Sequence, residues 1–353
     1  MRDDEPPGAS RDLLGQAPAG VAGLGRDLGF VERVFAGLAP SDPPIRSRMR
    51  LRMAVGVVLY LAWTAWAIGL RVEHGIFAGL FLGLVAWSPK TARFAWLLLP
   101  FFGVGILYDN MRLFVGLRAD TIHVADLYHA ELSWFGVQGP SGLETLPEFL
   151  QRHTHPILDF LCGLAYITYL AQVFVIGLVF YVVDRERFTQ LAWTFFWVNV
   201  AGIVTYLVYP AAPPWYVAAH GLGPAVLTAV PSAAGAARFD ALIGVGLFES
   251  FYSRNANVFG AMPSLHCAYP TVVFLTARTR GWRWSVPCGL FAILVMFSAV
   301  YLNHHYLMDV VVGVAYAVAA FALVHVGRSV LRKRAHDPVR ALVSPPAVFG
   351  QDR

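Results

Sequence analysis

The 353 residues are 57% hydrophobic and only 14% charged, against about 25% charged in soluble domains. With a mean hydropathy of +0.56, that excludes an ordinary soluble globular protein and leaves a polytopic membrane protein. The net charge is +5, but the basic residues flank apolar runs, so they act as topology signals rather than as a nucleic-acid surface.

Residues 1–45 are rich in Gly, Pro, Ala, Arg and Asp. They read as a disordered cytoplasmic tail with one short helix near Leu28–Leu38, and no apolar core follows Met1 as a cleaved signal would require. Residues 46–108 hold the first three predicted spans: Met53–Leu70 after Arg46, Arg48, Arg50 and Arg52, then Gly75–Trp87 and Phe94–Tyr108. The last two are short for a bilayer. Residues 109–156 form a polar extracytoplasmic segment. Its stretches Ile122–Phe135 and Leu143–Gln151 repeat apolar residues at helical spacing, which predicts helices lying in the interface. Asp109 and Arg112, after the third span, are either an ion pair at the site's rim or simply solvated.

Residues 157–330 form the remaining membrane core. Spans are predicted at Ile157–Val183, Gln190–Tyr209, Pro263 to before Arg278, Ser285–Leu302 and His305–Val326. Between the second and third of these runs a long connection, residues 210–262, which opens with a proline-rich segment through Tyr216 that predicts no helix. Loops of this length are usually functional. Residues 331–353 read as a basic cytoplasmic tail. Arg and Lys then alternate across the predicted spans as eight crossings with both termini inside require. The fold expected is an all-α helical bundle of about eight transmembrane helices with amphipathic interfacial helices.

That topology gathers Tyr216, Arg238, Arg254, His266, His304 and His305 at the outer face. Ionisable residues at membrane depth mark function. His305 and Asp309 are four apart, so on a helix they share a face, and a carboxylate there holds an imidazole in one tautomer. Ser264 and His266 follow Pro263, which suits the first turn of a helix, and a helix N-terminus binds phosphate. The residues alone therefore read as a histidine phosphoryl-transfer site at a membrane surface. Other readings stand beside it. His305 and Asp309 are also metal-ligand types. Cys267 adjoins His266, although nothing nearby would make it a thiolate. Arg238 and Arg254 could pair with Asp240 and Glu249. Trp215 and Tyr216 could anchor at the interface or meet substrate. A transporter with buried polar residues predicts broken helices near mid-membrane, whereas here the ionisable residues gather at one end.

Pro263–His266 and His305–Asp309 resemble two signature segments of the type-2 phosphatidic acid phosphatase superfamily, also called vanadium-haloperoxidase-like. The superfamily's Arg six residues before the second His is Ala299 here, and its Lys-rich first segment is missing. Pro210–Tyr216, Gly223–Ala225, Ala237–Asp240, Asn257–His266 and Tyr301–Tyr306 resemble, in the same order, segments of the fungal inositol phosphorylceramide synthases. The resemblance implies a six-helix phosphatase-like core with its site at the lumenal or extracytoplasmic end. It implies transfer of a phospho-head-group, most simply phosphoinositol from a phosphatidylinositol-like donor, to a ceramide-like lipid alcohol, with no metal and no cofactor. Within it His305 would be the nucleophile, Asp309 its orienting carboxylate and His266 the acid and base. Ser264, Arg254, Arg238, His304 and Tyr306 would contact the phosphate or substrate. A lipid phosphatase, in which water resolves the same intermediate, uses the same residues.

Overall fold

The computed structural model describes residues 45–113, 121–253 and 258–335. The two tails and Arg254 lie outside these residues, as does the side chain of Arg112. Among the described residues the named elements are helices apart from one small hairpin. Three N-terminal helices, α1 (Ser47–Ala67), α2 (Val72–Trp87) and α3 (Pro89–Asn110), pack in sequence. Ser88 and Thr91 form a capping box at the start of α3, with Pro89 in the first turn, where a missing N–H costs nothing. That box carries the helix to 22 residues, well past the predicted Phe94–Tyr108.

The polar segment folds into α4 (Ala125–Phe135), a hairpin of β1 (Val137–Gly139) and β2 (Gly142–Glu144), and α5 (Leu146–Arg152). The core follows as α6 (Pro156–Val183), α7 (Arg185–Val208), α11 (Leu265–Arg278), α12 (Trp282–Tyr301) and α13 (Leu307–Ala335). Three short helices, α8 (Pro214–His220), α9 (Ala237–Ile243) and α10 (Leu247–Tyr252), occupy the long connection. The segment predicted to be non-helical through Tyr216 is therefore corrected. Pro213 and Pro214 stop the chain only until Pro214 itself, which opens α8 in its first turn.

Among the described residues five helices are long and apolar enough to cross a membrane, α3, α6, α7, α12 and α13, and α2 is a shorter apolar helix. The chain is an integral membrane protein. Its outward faces carry Phe174, Leu178, Ile293 and Leu323 in exposed positions, the pattern of a bundle solvated by lipid. Central to it is the 14-residue α11, whose residues from Cys267 to Val273 are all buried and which touches α6, α7, α12 and α13. Close approach is built in by glycine: Gly202 of α7 faces Leu265, and Gly163 of α6 faces Phe239.

Both ends of the bundle are tied. At one end Asp184 pairs with Arg187 and Arg280, Arg187 also donates to Thr279, and Arg328 pairs with Glu186. The motif residues lie at the other end, where α6 begins, α12 finishes and α11 and α13 start. There the long connection is stitched by main-chain bonds. Ala211 donates to the Phe259 carbonyl, Ala212 to that of His123, and Ala261 to that of Ala211.

Candidate active site

The two motifs are joined through their backbones. The Ser264 amide donates to the Asp309 carbonyl at 3.0 Å, and the Tyr206 hydroxyl donates to the Pro263 carbonyl at 2.8 Å. Gly313, one turn past Asp309, lets α13 lie against Ser264: a Cβ there would sit 2.3 Å from the Ser264 carbonyl oxygen. Ser264 is the N-cap of α11, and its Oγ accepts from the Cys267 amide. Pro263 thus precedes the cap instead of occupying the first turn. The helix starts one residue after the serine because the hydroxyl captures a free N–H, which proline lacks a reason to displace.

His305 also lies outside a helix. It sits in the tight connection 302–306 between α12 and α13, not on α13 as the four-residue spacing suggested. The amides of His304 and His305 both donate to the Ala299 carbonyl, at 3.1 and 3.0 Å. Asn303 takes a left-handed conformation with φ 62°, which Asn tolerates better than most residues. Gly235 and Trp215 donate to the carbonyls of Leu302 and Asn303, and Gln151 donates to that of Tyr301. The turn is therefore held from three other segments. It still brings His305 Nδ1 to 3.4 Å from Asp309 Oδ2, an ion-pair distance longer than a good hydrogen bond. The same Oδ2 accepts the Tyr306 amide at 2.9 Å, which is the return leg of a capping box.

On its other side His305 Nε2 lies 3.2 Å from His266 Nδ1. His266, His305 and Asp309, 43 residues apart end to end, thus form one continuous line. If Nδ1–H of His305 faces Asp309, its Nε2 carries a lone pair and His266 is the donor between the two rings. His266 stacks on Tyr166 with centroids 4.5 Å apart, and Tyr166 stacks in turn on His304 at 5.1 Å. Tyr252 covers the second face of His304 at 4.7 Å. Burial pushes the His304 imidazole down to about 3, so this ring is neutral at physiological pH. Tyr306 is buried, and its hydroxyl has no hydrogen-bond partner among the described residues.

Other expected participants are placed differently. Arg238 donates from Nε to Asp159 Oδ1 at 2.6 Å and from Nη1 to Gln151 at 2.8 Å, with Nη2 at 3.4 Å from the Tyr301 carbonyl. Its guanidinium clamps α9 to α5, α6 and α12, using three of its five N–H groups. Asp240, its suggested partner, accepts the amides of Phe248 and Glu249 at the start of α10 instead. Trp215 and Tyr216 are buried in the connection rather than exposed at an interface, and the Tyr216 hydroxyl accepts the Val226 amide. Asp109 pairs with Arg71 and His74. Among the described residues no group of three or more His, Cys, Asp or Glu is arranged to hold a metal ion.

Sequence reasoning missed Tyr166 and Tyr252, whose apolar neighbours hide them, and Glu131. Glu131 is fully buried on α4 and accepts the amides of Leu307 and Met308 at 2.9 and 3.0 Å. Burial raises its carboxyl, opposed by those two amides.

A bundle with a Ser-capped helix, a neighbouring His and a His–Asp pair at one end has the parts of a phosphoryl-transfer enzyme. The PAP2 superfamily model matches residues 143–323, and the chain belongs to that superfamily. It is 37% identical over 286 residues to a phosphoinositol dihydroceramide synthase of Bacteroides thetaiotaomicron, a match spanning 80% of this chain and 93% of that protein. It is 31% identical over 179 residues to the inositol phosphorylceramide synthase catalytic subunit of Schizosaccharomyces pombe, covering 50% of this chain and 42% of the relative. An inositol phosphorylceramide synthase of Candida albicans is 31% identical over 185 residues, covering 50% and 38%. No solved structure matches the chain.

Proposed function

We propose that this protein transfers phosphoinositol from a phosphatidylinositol-like donor to a ceramide-like lipid alcohol through a phosphohistidine. The observation that carries the proposal is the line His266–His305–Asp309, with 3.2 Å and 3.4 Å between its members. The similarity to a phosphoinositol dihydroceramide synthase over most of the chain supports the choice of substrates.

His305 Nε2 attacks phosphorus while the bond to the diacylglycerol oxygen breaks, and His266 gives that oxygen its proton. The acceptor hydroxyl then attacks phosphorus, the P–N bond breaks, and His266 takes the acceptor's proton. Asp309 holds the His305 tautomer and stabilises the cationic ring. In-line attack leaves the two histidines on opposite sides of the phosphorus, which needs more than 3.2 Å between their nitrogens. Donor entry therefore separates the two rings. Ser264 and the amides at the start of α11 serve the equatorial oxygens, with Arg254 as their charged partner. His304 and Tyr306 line the substrate side. Arg238 acts through the clamp to Asp159, holding the Tyr301 end of α12.

The alternation of Arg and Lys supports eight crossings, with both termini cytoplasmic and the site on the extracytoplasmic or lumenal face. On this reading residues 157–330 are the catalytic core and residues 46–108 an appended scaffold. The test uses purified protein with phosphatidylinositol labelled in the inositol ring, with and without ceramide. A labelled phosphosphingolipid is expected from the wild type and none from His305→Ala. Free inositol phosphate formed equally without ceramide, or normal turnover by His305→Ala, refutes the reading.

A further inference from the structure

The first turn of α13 poses a problem that its own sequence does not solve. A helix start leaves amides without intrahelical partners, and short polar side chains at the N-cap usually satisfy them. The N-cap position here is Tyr306, whose side chain cannot bend back to do so. Leu307 and Met308 supply only apolar side chains. Leu307 and Met308 are half-buried, and the groups around their amides, Tyr306, Asp309 and Glu131, are buried.

The solution comes from 176 residues earlier in the chain. Glu131 reaches from α4 with one oxygen on the Leu307 amide and the other on the Met308 amide. Asp309 Oδ2 takes the preceding amide, that of Tyr306. Two carboxylates thus divide three consecutive amides between them. Asp309 Oδ1 is left without a hydrogen-bond partner among the described residues.

We propose that Glu131 is a positioning residue of the transfer reaction, one that keeps Asp309 aimed at His305 by occupying the two amides that would otherwise compete for it. The competition is local. A carboxylate in the first turn readily turns to free amides at its own helix start, and Asp309 is the nearest one. With Glu131 in place, that alternative is closed. The proposal rests on the assignment of His305 and Asp309 to the chemistry.

The test compares full-length Glu131→Gln and Glu131→Asp with wild type in liposomes containing phosphatidylinositol and ceramide, with rates expressed per folded molecule. Gln offers one acceptor oxygen and turns an NH2 toward the second amide. Asp keeps the charge but is one methylene too short for both amides. The expected result for Gln is a fall in kcat of about 100-fold, the scale of a 1 Å misplacement, with KM for the donor within about threefold. Asp should fall between Gln and wild type at the same KM. Wild-type kcat per folded molecule in either variant overturns the proposal, including the case in which only yield and melting temperature drop. His305→Ala, run in parallel, separates the two levels. If it is active, the underlying assignment fails; if it is dead while the Glu131 variants turn over normally, only the present inference fails.

Discussion

Replacing Gly313 by Ala tests the joint between the two motifs with one methyl group. The added Cβ would lie 2.3 Å from the Ser264 carbonyl oxygen, 3.1 Å from its carbon and 3.2 Å from its nitrogen. All three are backbone atoms and cannot rotate aside. Restoring van der Waals contact requires α13 and the Pro263–Ser264 segment to separate by about 1 Å. The same movement stretches the 3.0 Å bond from the Ser264 amide to the Asp309 carbonyl beyond hydrogen-bond range. Losing that bond costs about 1 kcal/mol, and overpacking adds about 1–3 kcal/mol. Because the displaced atoms carry His266 on one side and Asp309 on the other, kcat should fall by about 100-fold. The assay is transfer of labelled phosphoinositol in liposomes, alongside thermal unfolding in detergent. Gly79→Ala is the control, since nothing lies within 4 Å of a Cβ at that position, and it should match wild type in both measurements. Wild-type turnover by Gly313→Ala would refute the view that the contact sets the site's geometry.

Arg238→Met separates a clamp from a phosphate contact. It leaves the largely buried Asp159 with the Tyr301 hydroxyl as a remaining donor and should destabilise the fold by about 2 kcal/mol, with kcat per folded molecule falling less than tenfold. An unchanged melting temperature with a thousandfold loss of kcat would give Arg238 back to the phosphate. His304→Phe keeps the ring between Tyr166 and Tyr252 but removes a titration. The folded pKa of about 3 lies below the ordinary 6.5, so the unfolded chain takes up the proton first and stability falls as pH drops from about 6.5 toward 3. At pH 5 the loss from this ring is about 2 kcal/mol. Melting temperatures measured from pH 7 to pH 5 should therefore fall less steeply in His304→Phe, and identical slopes would contradict the buried neutral ring.

The sequence carried the long helices well, because runs such as Ile157–Val183 leave no other option in a bilayer. It also carried the pairing of His305 with Asp309, although for the wrong local reason: the spacing suggested one helical face, while the contact arises between a turn and the first turn of α13. Pro263 lies two positions ahead of the first helical residue, Leu265, since the capping hydroxyl of Ser264 rather than the proline sets where α11 starts. The partner of Arg238 was not legible. Asp159 is 79 residues away, and nearby Asp240 offered a closer match in sequence. Glu131 was hidden for a similar reason. On an amphipathic helix a lone carboxylate reads as solvated, and only the fold puts the start of α13 over it.

The bond from Glu131 to α13 also has a bearing on how the protein is made. Its donors are 176 and 177 residues downstream, so at 5–20 residues per second a nascent chain waits roughly 10 to 35 s between emergence of the carboxylate and arrival of its amides. Throughout that interval the Glu131 carboxylate is without the two amides that it accepts in the finished fold. Formation of the first turn of α13 is therefore the step that completes the contacts of Glu131. A nascent chain stopped before α13 would have its scaffold inserted and no chemistry, which keeps an unfinished enzyme from acting on the lipids around it.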